Sequence, residues 1–342
     1  MATQSLKTAF EALVREINVP GSSYADYSKK NSDLGYNCYE AEISVMDKLV
    51  KFSTGDPQFA LNHGDVAPFS TPNVAKFPFF KVGYTQIQTD PTVTQNLDKN
   101  ILPFDVLMAT LMLHIKTLDL QYGQYVAKDW AIKPFSPDTS INTTAPNFST
   151  GKYKNKFLLT TGQQKNSSLQ STPTPVRKIT YEDIVRVNAA LGDQNMTETT
   201  KYALVTSDQL ADIQNLAKLE YQVTGEKLDV FGKLRQYIFG IIWIERGGSE
   251  AGATNVVYQN NAGSYTPLPY GALTTSDSRN AILFWTEGSV WSSDVNNVEV
   301  FTQNGDPKYY GDVNSMQRIL AAYKDNEITQ DGVCVLVESD FN

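Results

Sequence analysis

The chain is poor in the residues on which most enzyme chemistry relies. Its 342 residues include two cysteines and two histidines. Cys38 and Cys334 lie far apart, and two thiols cannot form a disulfide framework, so a reducing compartment fits best. His63 and His114 are too few for a zinc site, and no second ligand stands at the required spacing from either. His114 falls in an apolar helical stretch and reads as structural; His63, in a Pro- and Gly-rich stretch, reads as exposed and inert. Neither GxxxxGKS/T nor GxGxxG occurs, and no acidic run matches a calcium loop. The segment GGSEAG at 247–252 approaches a nucleophile elbow, but Ala251 stands where that motif needs glycine. Glu182 and Asp183 are adjacent carboxylates, and both sit where the first turn of a helix favours acids. These absences lead to the expectation of no catalytic residue, no cofactor and no metal.

Long apolar runs are missing too. No stretch of about 18 apolar residues suggests a membrane span. The opening MATQSLKTAFEALVREI lacks the continuous apolar segment of a secretion signal. The sequons at Asn142, Asn147, Asn166 and Asn195 are therefore read as composition only. Charge is scarce: Asp, Glu, Lys and Arg make up 19% of the chain, below the usual share of roughly 25%. The net charge of −8, without a cluster of Lys and Arg, excludes a dedicated nucleic-acid binder and leaves only diffuse contacts with DNA. Nine acidic and three basic residues lie between Asp294 and Asn342, which reads as a solvated sheet edge, with an acidic assembly surface as the alternative.

What is present is an ordinary folded-protein core, 41% apolar and 11% aromatic, with Asn, Gln, Ser, Thr and Tyr in place of charge. That mixture suits broad surfaces that hydrogen-bond to neighbours. The length fits two domains or one elongated, multi-lobed subunit. Leu6, Phe10, Leu13 and Ile17 are spaced as a short amphipathic helix ended by Pro20 and Gly21. From Tyr39 to Asp90, strand-like pieces at Leu49 to Phe52 and Phe77 to Gln88 flank a Gly-, Pro- and Asn-rich stretch. A long two-stranded excursion is expected there, marginal in water unless something packs on it. Phe104, Leu107, Met108, Leu111, Met112, Ile115, Leu118, Tyr122 and Val126 then predict one helix of about 25 residues starting near Pro103. Loops follow, with one strand around Phe157 to Thr160.

From Lys178 the pattern becomes α/β. ITYEDIVRVNAAL (179–191) has Thr180 as N-cap and Asp183 three residues on, a variant capping box. Tyr202 to Thr206 predicts a strand, with Ser207 capping a second helix that turns Leu210, Ile213, Leu216 and Ala217 inward. Tyr237 to Ile244 predicts its partner strand, with Gly240 in mid-strand as if to admit another backbone. Ala281 to Trp285 reads as a buried strand. Val298 to Thr302, Met316 to Tyr323 and Val333 to Val337 read together as a closing antiparallel sheet. Trp243, Trp285 and Trp291 lie in or beside these apolar strands and read as core or interface anchors.

Three passages resemble the capsid fold of tailed phages, the Hong Kong phage type shared with encapsulin compartments. ITYEDIVRVNAAL with KYALVTSDQLADI (201–213) resembles the helix, strand and helix that open the family's axial domain. GKLRQYIFGIIWIE (232–245) is similar to its next strand. AILFWTEGSV (281–290), VEVF (298–301) and RILAAYKDNEITQDGVCVLVES (318–339) resemble the return to the peripheral domain and the closing strands. The resemblance implies an α+β major capsid protein in five parts: an N-terminal arm (1–40), an extended β-hairpin loop (41–90), a peripheral domain (91–177) with a spine helix at about 103–127, an α/β axial domain (178–293) and peripheral closing strands (294–342).

By the same resemblance the function is structural. Subunits would gather as pentamers and hexamers and close an icosahedral shell around double-stranded DNA. The implied partners are copies of the chain, a separate scaffolding protein, a portal, decoration proteins and packaged DNA through diffuse contacts, with no membrane. The implied location is the virion capsid, assembled in the host bacterial cytoplasm. A few family members join a loop lysine to a neighbour's asparagine; Lys76 and Lys81 are the candidate donors here and Asn296 and Asn297 the candidate acceptors, with noncovalent locking as the default. An encapsulin-type compartment is the alternative within the fold. An adhesin would suit the Tyr-rich composition but not the long helix, and a hydrolase would need a localised pocket with perturbed titratable groups.

Overall fold

The computed structural model describes residues 24–31, 40–44, 79–83, 85–95, 105–133, 156–166, 175–194, 196, 198–224, 237–245, 256–261, 264–268, 278–293, 298–308, 310–325 and 330–338. The expected helix around Leu6 to Ile17, the strand at Leu49 to Phe52, His63, Cys38 and the Gly-rich loop at 247–252 lie outside these residues.

After a 3-10 turn at Tyr24–Tyr27 come β1 (Lys29–Asn31), β2 (Glu40–Ser44) and β3 (Phe79–Gly83). β2 and β3 pair antiparallel from Glu40 opposite Gly83 to Ser44 opposite Phe79, so the chain departs and returns at one place. β4 (Thr85–Gln88) and β5 (Thr92–Gln95) follow. Helix α1 then runs from Asp105 to Trp130, 26 residues or about 39 Å at the standard rise. It starts close to the expected place and extends three residues past the expected end at 127. Leu111, Ile115, Leu118, Tyr122 and Val126 form its buried stripe, while Met112, expected inward, is exposed with Leu113. The C-terminus is closed by Lys324, fully buried, whose ammonium donates to the carbonyls of Asp129 at 3.1 Å and Ala131 at 3.0 Å. A cation on those carbonyls satisfies groups the helix cannot and suits its negative end.

Next come β6 (Phe157–Leu159), β7 (Gln164–Asn166), β8 (Pro175–Arg177), α2 (Tyr181–Gly192), β9 (Lys201–Val205) and α3 (Ser207–Thr224). The expected capping box is present at α2, with Thr180 and Asp183 bonding reciprocally. At α3 the cap is Thr206 and not Ser207: the Gln209 N–H donates to the Thr206 hydroxyl while the Gln209 side chain accepts from the Thr206 N–H. Threonine three residues before glutamine makes the reciprocal pair, which Ser207 cannot.

The remaining strands are β10 (Tyr237–Ile238), β11 (Ile241–Glu245), β12 (Val256–Asn261), β13 (Ser264–Leu268), β14 (Ser278–Thr286), β15 (Val290–Ser293), β16 (Val298–Asp306), β17 (Gly311–Leu320), β18 (Ala322–Lys324) and β19 (Val333–Val337). The single strand expected at Tyr237 to Ile244 is instead a hairpin. Phe239 and Gly240 both have positive φ, 55° and 76°, the conformation of a two-residue turn matching strand twist. A Cβ on Gly240 would meet open space, so this glycine serves the turn and admits no neighbouring backbone.

The largest sheet has eight strands, with path β10-β11-β9-β14-β12-β13 and with β19 and β6 joined through β14. β19 lines one edge of β14 from Ala281 to Trp285. β12 and β9 lie end to end along the other. All nine residues of β14 are buried. The expected single closing sheet is therefore corrected: β19 enters the middle of this large sheet, β16 and β17 build a second sheet with β4 and β5, and β18 joins β15 and β1 in a third. An apolar run such as VCVLV is what a strand covered on both faces requires, so β19 had to lie inside a sheet and not close its edge.

Side-chain alternation divides two cores across this sheet. Ala281, Leu283 and Trp285 of β14, with Val333, Val335 and Val337 of β19, face the cluster that holds α1. Ile282, Phe284, Cys334 and Leu336 face the cluster that holds α2 and α3. Gly332 fixes the entry to β19. It has φ +78°, and a Cβ there would come within 2.4 Å of the Ser289 Cβ. The two glycines at positive φ can be told apart by alanine substitution, read from denaturant melts. Gly240→Ala should cost about 1 kcal/mol for the backbone alone, and Gly332→Ala about 3 kcal/mol because a clash adds to the backbone term.

Candidate functional site

Several buried titratable side chains serve as structural ties. Asp183 is fully buried and accepts from the Thr180 N–H at 3.0 Å, the Thr161 N–H at 3.1 Å, the Thr161 hydroxyl at 2.9 Å and Arg186 at 3.3 Å. It staples the loop after β6 to the start of α2. His114 is buried, its Nδ1 2.7 Å from the Thr89 hydroxyl, and burial holds its pKa below the ordinary value. Thr89 also bonds Met316 in both directions, so this histidine fastens α1 to the joint of β4 and β17. The Cys334 thiol is pushed up to about 12 by burial. Among the described residues no group of His, Cys, Asp and Glu is placed to hold a metal, and no helix is long and apolar enough to cross a membrane.

A buried ionic cluster ties α3 to the end of β19. The Lys165 ammonium lies 2.9 Å from the Asp212 carboxylate and 3.2 Å from that of Glu338. Burial raises the Glu338 pKa against the opposing pull of Lys165. At Lys165 burial acts downward, but the two carboxylates outweigh it and hold the amine above its ordinary value.

The N-terminal segment is anchored in an aromatic junction. The Tyr24 ring lies 5.5 Å from Trp130 and 6.1 Å from Trp285, and its hydroxyl donates to the Gly123 carbonyl of α1. Trp285 in turn stacks on Tyr202 at 5.6 Å and donates to the Tyr27 carbonyl at 3.2 Å. β1 adds to β15 in parallel, with Lys29 opposite Trp291. The segment Tyr24 to Asn31 thus docks on the body of its own chain. Beyond these contacts the surface carries separate apolar groups: Leu113 on α1, Tyr181 and Val185 on α2, and Phe301 and Tyr310 on the β16–β17 hairpin, Tyr310 being 79% exposed. Arg318 is buried beneath that hairpin's sheet, 3.8 Å over the Tyr122 ring and 3.9 Å from Asp119, so the sheet is pinned onto α1.

No family model and no curated protein sequence matches the chain. Solved structures do. The chain is similar to the capsid of cyanophage Pam1 at 13% identity and TM-score 0.55, over 94% of this chain and 93% of that one. It is similar to the capsid of cyanophage P-SCSP1u at 12% identity and TM-score 0.52, over 92% and 86%. It is similar to the capsid of Ralstonia phage GP4 at 12% identity and TM-score 0.51, over 95% and 93%. The chain has the tailed-phage capsid fold.

Of the four crosslink candidates only Lys81 is among the described residues, in β3 opposite Glu42; Lys76, Asn296 and Asn297 lie outside them. Of the three tryptophans expected as anchors, Trp243 and Trp285 are in the core, and Trp291 stacks on Tyr323 at 5.9 Å with the Lys29 ammonium 5.1 Å from its ring centre. Sequence reasoning missed Lys324 and the Lys165 cluster. The available signals were a lysine closing the apolar segment AAYK and a glutamate following VCVLV directly.

Lys165→Met would leave Glu338 buried without its cation. The expected cost is about 3 kcal/mol at pH 7. Because burial raises the folded-state pKa of Glu338, its protonated form is the one the fold tolerates. The loss should therefore shrink as pH falls toward the ordinary glutamate pKa and grow as pH rises through the elevated one; urea melts at pH 5 and pH 7.5 check the sign. Separately, Cys334 should stay unmodified by iodoacetamide in the native chain and react once the chain is unfolded, as read by peptide mass spectrometry.

Proposed function

We propose that the chain is the major capsid protein of a tailed phage, a subunit without catalytic activity that assembles with its own copies into pentamers and hexamers of an icosahedral head around double-stranded DNA. The observation that carries this reading is the likeness to phage capsid structures over nine-tenths or more of the chain, 94% of this chain against 93% of the other in one case.

The physical character of the chain supports it. Buried carboxylates and a buried histidine hold elements together, while the outward apolar groups among the described residues are dispersed over several elements, as suits many modest contacts multiplied by valence into a closed shell. A net charge of −8 suits a container from which DNA must be released, since a basic wall would hold the genome by salt-dependent contacts. The partners in this reading are further copies, a separate scaffolding protein, a portal, decoration proteins where the shell carries them, and DNA through diffuse contacts. Its place is the virion capsid, assembled in the host bacterial cytoplasm. Locking between subunits is noncovalent, with a Lys76 or Lys81 link to Asn296 or Asn297 as the covalent alternative.

Size-exclusion chromatography with negative-stain microscopy on the recombinant chain, alone and with its scaffolding partner, tests this. Shells, tubes, pentamers or hexamers are expected. A strictly monomeric protein under all these conditions would sink the reading, and particles that enclose an enzyme and no DNA would favour a compartment shell.

A further inference from the structure

The outer edge of β16 is the part of the described surface whose chemistry calls most directly for a partner. At nine residues β16 is the longest edge strand among the described residues, the others having five or fewer. Of the five-residue edges, β13 carries Pro267, β2 carries Glu40 and Glu42, and β3 carries Lys81. Such residues are the usual protection against pairing with another chain. From Val298 to Gln303, β16 has neither proline nor lysine, and its one charge, Glu299, is engaged within the sheet by the Gln317 side chain.

The direction of each peptide group on β16 follows from its neighbours. Thr89 continues β4 alongside β17, and its N–H donates to the Met316 carbonyl at 2.9 Å while its hydroxyl accepts from the Met316 N–H at 3.0 Å. Met316 therefore directs both polar backbone groups toward β4. Successive residues of a strand direct them to opposite edges, so Ser315 and Gln317 direct theirs toward β16. Their partners there are Phe301 and Glu299. Val298, Val300 and Thr302 are left with N–H and C=O facing away from the sheet, and no described strand pairs with them. This free run is bounded. A register shift between Gln303 and Asp306, with Gly305 at φ +68°, ends the regular ladder. Phe301, 48% exposed, stands on the outer face in the middle of the run as an apolar contact for an incoming strand.

We propose that this edge accepts an extended segment of a second copy of the chain, which adds a strand to the peripheral sheet through Val298, Val300 and Thr302. The proposal rests on the shell reading above: in a shell the neighbours of each subunit are its own copies, held at a local concentration that turns an unprotected edge into a constant contact.

Residue-resolved hydrogen exchange on the chain before and after assembly tests it. In the unassembled chain the amides of Glu299 and Phe301 should be protected and those of Val298, Val300 and Thr302 should exchange freely. In assembled particles made of this chain alone, the second group should slow by about a hundredfold or more. Assembled particles in which it still exchanges freely overturn the edge proposal and leave the shell reading standing. A chain that stays monomeric under every condition, with those amides exchanging, overturns both. Protection that appears only on adding a different protein assigns the edge to that protein and overturns the choice of partner. A variant gives an independent arm. Thr302→Pro removes an outward N–H and leaves the inner ladder intact, so the unassembled chain should melt as wild type does. Its assembly yield should fall about tenfold or more, while Thr302→Val, which keeps the amide, should assemble normally. Thr302→Pro assembling at wild-type yield overturns the proposal, and the exchange experiment stands whether or not this variant folds.

Discussion

Burial of β14 on both faces and both edges is the constraint on which the rest of the structure depends. A nine-residue strand with every residue buried needs two helical layers to cover its faces and paired strands along both edges. α1 lies on one face and α2 with α3 on the other. β19 takes one edge, while β9 and β12 divide the other. The wall between the two cores is thus one strand thick. Trp285 and Phe284, adjacent in sequence, belong to different clusters. A change at either is felt in one layer first, because close-packed interiors transmit volume changes to their contacts.

Several elements outside the large sheet are tied to this partition. The segment that begins at Tyr24 is clamped by that ring between Trp130 and Trp285. Helix α1 is closed at its end by Lys324 and crossed by the sheet that Arg318 pins onto Tyr122. In the proposed shell role a subunit has to present several surfaces at fixed angles, since a closed assembly multiplies any error in orientation around its axes. Buried polar ties serve that need. They contribute little net stability compared with apolar packing, but they admit few alternative arrangements.

Much of the layer formed by the large sheet with α2 and α3 was legible in the chain. The capping box at Thr180 and Asp183, the inward face of α3 and the apolar strands are local patterns, governed by residues within a few positions of one another. The misreadings occurred where two local explanations compete. Gly240 inside YIFGIIWI suits either a strand with a close neighbour or a two-residue turn, and the second requires Phe239 also to take positive φ, which phenylalanine rarely does. Thr206 and Ser207 are both able caps, and the choice fell to the residue with Gln209 three positions on. The sites that tie elements together were less legible, because Lys165, Asp212 and Glu338 are brought to one place by three separate segments.

The sequence by itself determined the fold class: an apolar, Tyr-rich α+β chain with one long helix, continuous apolar strands, few cysteines and histidines and an acidic balance, patterned like the capsid fold. Those properties are local or additive, so they can be read without knowing what touches what. Only the tertiary structure decided that Val333 to Val337 enters the middle of the large sheet while Val298 to Asp306 lies at an edge that no described strand covers. Strand order is a matter of long-range pairing, in which segments of similar composition compete for the same neighbours. The competition is settled by which faces the helices must cover, information that no single strand carries.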